Sequence, residues 1–251
     1  MSGHSKWAQI KRQKGTADVK RGLAFTKLAN AITIAVRAGG GIADPESNFK
    51  LRLTIEKART ANMPKENIQR AIDRGKAPLR QGSAGLEEVV YEGFGPGGIA
   101  VIIECVTDNK ERTRSEVRSI FDKNGGTLGQ AGSVSYQFEK VGLITVGKNN
   151  QTFDEIFTIA VDHGAQDIEE AEEEVFIYTD TPALKQTKES LEKAGLAIIE
   201  AQLYRKPTVT IPVGDKELAD KIISFVEKLE NLDDVQKVYS NFDISNELLN
   251  G

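Results

Sequence analysis

The chain has 251 residues, 39% of them hydrophobic and 28% charged, with a formal net charge of −4. That length and apolar content exclude wholesale disorder and suit about two domains of ordinary size, with one or three also allowed. The single cysteine, Cys105, excludes an intramolecular disulfide and a cysteine-based zinc site, and the apolar runs are far short of a membrane span or a signal-peptide core.

The mild net charge conceals a strong polarity. Residues 1–80 hold 17 Lys and Arg against 6 Asp and Glu, a net of +11, which leaves 16 against 31 and a net of −15 for residues 81–251. A basic head attracts polyanions, and an acidic body repels them and fixes which end approaches. The head opens with Lys6, Trp7, Lys11, Arg12, Lys14, Lys20, Arg21 and Lys27, with Asp18 the only acid before residue 44. Trp7 and His4 could stack on a base or pack onto the head. A basic, acid-poor start is a trait of mitochondrial presequences too, but Trp7 and the steady lysine spacing suit a binding arm better, so a cytoplasmic protein is expected.

In chain order, Phe25, Leu28, Ala29, Ile32, Ala35 and Val36 recur at helical spacing, and Gly39, Gly40 and Gly41 stop that helix. Asp44 and Pro45 then read as an N-cap and first-turn proline. Phe49, Leu51, Leu53 and Ile55 alternate like a strand, yet the cap and the helix formers Glu56 to Arg59 favour a second helix. Met63 and Pro64 break it, and a short third helix carries Ile68, Ala71 and Ile72 on one face. Joined by Thr60–Pro64, the second and third helices could imitate a helix-turn-helix that offers Lys65, Asn67, Gln69, Arg70 and Arg74 to a groove. An ordinary three-helix bundle fits equally well. Pro78, Gly82, Ser83 and Gly85 mark a linker.

From residue 86 strands alternate with helices: strands at Val89–Glu92 and Ile99–Val106, a helix over 110–123, strands near 134–138, 143–146, 174–179 and 197–204, and helices near 152–163 and 182–194. A last strand, helix and strand run Thr208–Val213, Lys216–Leu229 and Val235–Phe242. Neither the first nor the last group closes a layer alone, whereas together they make a two-layer α+β unit, and the middle group has the same inventory. The expected fold is therefore α+β in three domains: a basic helical head with its arm (1–80), a discontinuous α+β domain (81–132 and 206–251), and an acidic ferredoxin-like domain inserted into it (133–205). Two sequential domains after the head are the alternative partition.

Chemistry-bearing motifs are sparse. Gly93, Gly95 and Gly98 match G-x-G-x-x-G, but a strand follows instead of a helix, so a hairpin turn is the reading and a dinucleotide site is not. His163 before Gly164 suits a helix end, and Cys105 suits core filling. Neither a nucleophile–base set nor a metal-ligand spacing stands out, so no catalytic residue, metal or cofactor is expected. Lys110, Arg114 and Arg118 recur at every fourth residue, a possible secondary anion surface. Residues 151–200, with 13 acids against three lysines, will not lie along a phosphate backbone unless a cation or a basic protein intervenes.

These residues resemble one family. Gly3-His4-Ser5-Lys6-Trp7 with Ile10-Lys11 and Lys14, Lys20-Arg21-Gly22 and Phe25-Thr26-Lys27-Leu28 look like the N-terminal signature of the YebC family. So do Ala61-Asn62-Met63-Pro64-Lys65, the stretch Tyr91 to Gly98, Thr107 to Thr113, and Gly132-Ser133-Val134; Phe94 stands where many members have Tyr. The resemblance is dense over residues 1–138 and looser beyond. It implies a helical head with two α+β domains, one interrupting the other, and no known enzymatic activity. Bacterial members are described as probable DNA-binding transcriptional regulators; mitochondrial relatives activate translation, and some bacterial relatives associate with ribosomes stalled on proline-rich stretches. Nucleic acid, either DNA or ribosomal or transfer RNA on the ribosome, is thus the expected partner. The expected binding residues are the head cations already named together with Trp7, Lys65, Arg70 and Arg74. No membrane is expected, and a monomer is the default.

Overall fold

The computed structural model describes residues 19–78 and 85–245. The head contains α1 (Val19–Ala38), α2 (Phe49–Thr60) and α3 (Lys65–Lys76). Leu28, Ile32, Ala35 and Val36 of α1 pack with Leu51, Ile55 and Ala58 of α2 and with Ile68, Ala71 and Ile72 of α3, so each helix buries one stripe of a single core. Close approach of α3 to α1 requires Gly75, where an added Cβ would sit 2.6 Å from the Val36 Cβ.

The second helix forms as expected, but its start and cap differ. It starts at Phe49, capped by Asn48, and not at Asp44. The Asp44 carboxylate is used locally, accepting from the Glu46 N–H at 3.1 Å and the Ser47 hydroxyl at 2.9 Å. Asn48 caps with Oδ1 (from Leu51 N–H, 3.0 Å) while its Nδ2 donates to Ala35 O at 2.9 Å, satisfying a carbonyl near the end of α1. The strand-like alternation belongs to a helix with two apolar faces. Leu51 and Ile55 enter the head core, whereas Phe49 and Leu53, one turn apart, pack against the core of the middle unit.

The rest of the molecule holds two four-stranded sheets. β1 (Glu87–Phe94), β2 (Ala100–Thr107), β3 (Thr127–Leu128) and β9 (Val235–Ser240) form an antiparallel sheet in the order β3-β1-β2-β9. Its strands come from both sides of the middle segment. β4 (Phe138–Gly147), β5 (Asp167–Glu170), β6 (Glu174–Asp180) and β7 (Ala197–Pro207) form the second, ordered β5-β6-β4-β7. β8 (Ile211–Val213) and β10 (Phe242–Ile244) pair in parallel beside the first sheet's helices.

Helices α4 (Lys110–Lys123) and α7 (Lys216–Glu230) cover the first sheet, with Val101, Ile103, Val117, Phe121, Ile222 and Phe225 in the core between them. Phe121 and Phe225 meet edge to face at 5.0 Å. Helices α5 (Phe153–Asp162) and α6 (Leu184–Lys193) cover the second sheet over Ile144, Val146, Val175 and Ile177. The alternate residues Ala100 and Ile102 of β2 share another core with Val141, Leu143, Tyr178, Tyr204 and Tyr239. The two sheets therefore face each other between two helical layers, which explains why β2 is almost wholly buried.

The middle segment departs from expectation in detail. One strand, Phe138–Gly147, replaces the two expected near 134–138 and 143–146, and Ser135–Gln137 form a single helical turn. The backbone N–H groups of Val134 and Ser135 cannot join a ladder because the Glu92 carboxylate takes both, each at 2.9 Å. The acidic run from Glu169 to Glu174 is the hairpin between β5 and β6, not simply a solvated face. Glu170 pairs with Lys148 at 2.7 Å, Glu169 with Lys206 at 3.3 Å, and Ala171 is buried. The expected strand Thr208–Val213 shrinks to Ile211–Val213, and the last strand is split at Asn241.

Candidate nucleic-acid interface

Lys6, Trp7, Lys11, Arg12 and Lys14 lie outside the described residues. Lys20 and Arg21 fall in the first turn of α1. The cations further along divide sharply between those turned outward and those consumed by the fold.

Lys27 is consumed. Its ammonium donates to the carbonyl of Glu230 at the C-terminal end of α7, where a helix carries partial negative charge, so it ties head to body and is not a phosphate ligand on an open face. Arg74 is also consumed. Its Nε donates to the Thr33 hydroxyl at 3.0 Å and an Nη to Asn30 Oδ1 at 2.7 Å, which staples α3 to α1. Burial and then the neighbouring Arg37 push its pKa down. Arg74 itself stays exposed, so these bonds restrain its reach toward a groove without burying it.

Lys65 opens α3 exposed, with no ion pair among the described residues. Arg70 is exposed and folded back along its own helix, donating to Asn67 Oδ1 at 2.8 Å and Glu66 O at 3.3 Å. Gln69 donates to Asp73 at 3.0 Å. On the body, Lys110 pairs with Glu87 at 2.7 Å, while Arg114 and Arg118 remain exposed one turn apart on α4.

Three of the four cations of α2 face the acidic body and were not among the expected binding residues. Lys50 meets Glu88 at 2.6 Å, Arg52 lies 3.7 Å from Glu189, and Lys57 meets Glu200 at 3.0 Å, with a reversed pair from Glu56 to Lys188 at 3.4 Å. Each pair is open to solvent on at least one side and contributes little by itself, but four of them flanking Phe49 and Leu53 set the docking register. The only trace of this in the sequence was the second apolar face of α2.

Other motif residues turn out to be structural. Asp234, nearly buried, accepts from Thr107 (2.9 Å), Thr113 (2.6 Å) and Arg112 (2.8 Å), which fixes the start of α4 against the start of β9. Burial pushes the Cys105 thiol up to about 12, aided by Asp234, so a thiolate is disfavoured. His163 caps the end of α5, followed by Gly164 at φ 89°. The described residues contain no group of three or more His, Cys, Asp or Glu placed to hold a metal ion, and no helix long and apolar enough to cross a membrane.

Residues 5–78 match the family described as "TACO1/YebC protein N-terminal domain", and residues 86–242 match "TACO1/YebC second and third domain". The chain belongs to the TACO1/YebC family. A TACO1/YebC relative from Persephonella marina, named "Probable transcriptional regulatory protein", is 50% identical over 250 residues, covering 99% of this chain and 98% of that one. A relative of the same name from Roseiflexus castenholzii is 50% identical over 252 residues, covering 99% and 97%. The crystal structure of a conserved hypothetical protein from Aquifex aeolicus superposes with a TM-score of 0.85 at 46% identity, covering 93% of this chain and 95% of that one. The helical head followed by α+β units is the TACO1/YebC architecture.

Proposed function

We propose that this TACO1/YebC protein is a non-enzymatic regulator of gene expression, working in the cytoplasm, that binds nucleic acid through its basic head. The observation that carries the reading is the split of charge, +11 over residues 1–80 against −15 over the rest. Internal pairing absorbs Lys50, Arg52 and Lys57 of α2, while Arg59, Lys65 and Arg70 are exposed and make no ion pair among the described residues. The relatives' names favour DNA and transcription.

A second reading, ribosomal RNA and translation, draws on a specific observation. Major-groove readout needs a helix whose side chains are free to reach base edges. Here Asn67, Gln69 and Arg70 bond within α3, Arg74 bonds to α1, and α2 is docked on the body. Such a head suits phosphate and shape recognition better than base reading.

The test measures the salt dependence of binding to a DNA duplex and to ribosomes. Replacing Lys6, Lys11, Arg12 and Lys14 by Ala should reduce the magnitude of the duplex slope by up to ~3.6, at ~0.9 per phosphate contact. An unchanged slope would mean that the arm does not touch phosphate. A large preference for one promoter, lost on replacing Asn67 and Arg70, would favour transcription. Salt-resistant ribosome binding that survives this replacement but fails without the N-terminal cations would favour translation.

A further inference from the structure

Head, first sheet and second sheet meet around a cavity of about 490 Å³, and a neighbouring cavity of about 780 Å³ shares Lys57, Glu200 and Lys237 with it. Sites for small molecules favour such junctions, and both volumes lie within their usual range. The first cavity is apolar along Leu28, Ala31 and Leu53 of the head and along Val89, Val141 and Leu203 of the sheets. Its charged lining is unlike the body around it. Lys27, Lys50, Lys57, Lys140, Arg205 and Lys237 face only Glu88, Glu104 and Glu200.

Those three acids are already engaged. Glu88 meets Lys50 at 2.6 Å, Glu200 meets Lys57 at 3.0 Å, and Glu104 accepts from Arg205 at 2.8 Å and from the Tyr239 hydroxyl at 3.1 Å. Lys237 stands apart from this pairing. Its ammonium donates to the Leu203 carbonyl at 2.9 Å and makes no ion pair among the described residues. Burial first and Lys57 second push its pKa down to about 8, with Lys50 adding to this and Glu104 and Glu200 offsetting part of it. The Lys237 side chain is half-buried, so its ammonium stays within reach of an occupant of the cavity. An anion there would supply the counter-charge that the three engaged carboxylates do not.

We propose that this junction binds a small organic anion, an acidic head group on an apolar body, with Lys237 as its charge partner and Leu28, Ala31 and Leu53 against its body. The site does not depend on what the basic head binds. Because its walls come from the head and from both sheets, an occupant would clamp them together.

The probes are anilinonaphthalene sulfonate and its uncharged counterpart N-phenylnaphthylamine, each titrated by fluorescence. The sulfonate should fill one saturable site about tenfold or more tighter than the amine, the difference one charged hydrogen bond supplies. Lys237→Met should remove that advantage and leave the amine's affinity unchanged. Ala31→Phe, which fills the cavity and leaves its charges intact, should abolish binding of both. Equal affinities of the two probes on the wild type, non-saturable binding, or sulfonate binding indifferent to both variants would overturn the proposal. Where Lys237→Met does not fold, Lys237→Gln, whose amide can still donate to the Leu203 carbonyl, removes the charge in its place.

Discussion

Glu92 lies near the end of β1, and its carboxylate accepts N–H bonds from Gly132, Val134 and Ser135, each at 2.9 Å. Three converging backbone donors form an anion-binding concavity, here filled by the protein's own side chain. Burial opposes ionisation, but the three donors outweigh it and hold the carboxyl below its ordinary value near 4.5. Because the folded pKa is depressed, its stabilisation is fully present above about pH 4.5 and is lost as pH falls through the folded value. Glu92→Gln should cost about 1–3 kcal/mol at neutral pH and flatten the acid limb of a urea-unfolding series. Identical acid limbs for variant and wild type would rule this out. Gly97 is the other telling residue. It stands at φ 70°, and a Cβ there would sit 3.1 Å from the Leu218 side chain. Gly97→Ala should lower stability by about 1–2 kcal/mol. A fall in function without a fall in melting temperature would instead mean that the loop touches a partner. The hairpin was legible because glycines between two strands have few other uses. Glu92 was not, because its partners lie some forty residues away and nothing local marks a carboxylate as a backbone acceptor.

At the scale of elements, α2 and α3 show what periodicity can carry. The apolar spacing of α3 gave its core face directly, and Ile68, Ala71 and Ile72 are buried there. For α2, alternation favoured a strand and helix propensity favoured a helix. The helix prevails because each apolar set meets a different core, one in the head and one in the middle unit. No single-sequence pattern distinguishes a two-faced helix from a half-buried strand over seven residues. The same limit hid the roles of Lys27 and Arg74, which read as free cations until their acceptors, Glu230 O and Asn30 with Thr33, are known. Arg74→Ala should therefore lower the thermal stability of the head by about 1 kcal/mol through lost hydrogen bonds to α1. Lys65→Ala with Arg70→Ala should shift stability by no more than about 0.5 kcal/mol each. The latter pair should instead reduce the magnitude of a duplex salt slope by up to ~1.8. Should Arg74→Ala change the slope and leave the melting temperature alone, its assignment as a staple is wrong.

At the scale of the molecule, the α+β class and the helical head were readable from where strand and helix patterns begin. The face-to-face stacking of the sheets was not. It depends on residues such as Ala100, Ile102, Val141 and Leu143 being apolar on a second face, and a strand buried on both sides reads simply as an apolar run. The docking of the head was hidden for the same reason, and it bears directly on function. Lys50, Arg52 and Lys57 answer acids of the body, so part of the head's positive charge is spent inside the molecule. Leu53→Asp tests what that arrangement does. The substitution puts a charge where Leu53 packs on the middle unit, while Leu28, Ile32, Leu51 and Ile55 keep the head core intact. Far-ultraviolet circular dichroism should retain the helical signal, and small-angle scattering should show a larger radius as head and body separate. Lys50, Arg52 and Lys57 would then be released from the body's carboxylates, and the magnitude of the salt slope for nucleic acid should rise by up to ~2.7, at ~0.9 for each new phosphate contact. A weaker fold with a steeper slope would make the acidic body a competitor for the same cations that a polyanion seeks. A separated head with an unchanged slope would instead confine recognition to the N-terminal cations and α3, leaving α2 purely as the anchor to the body.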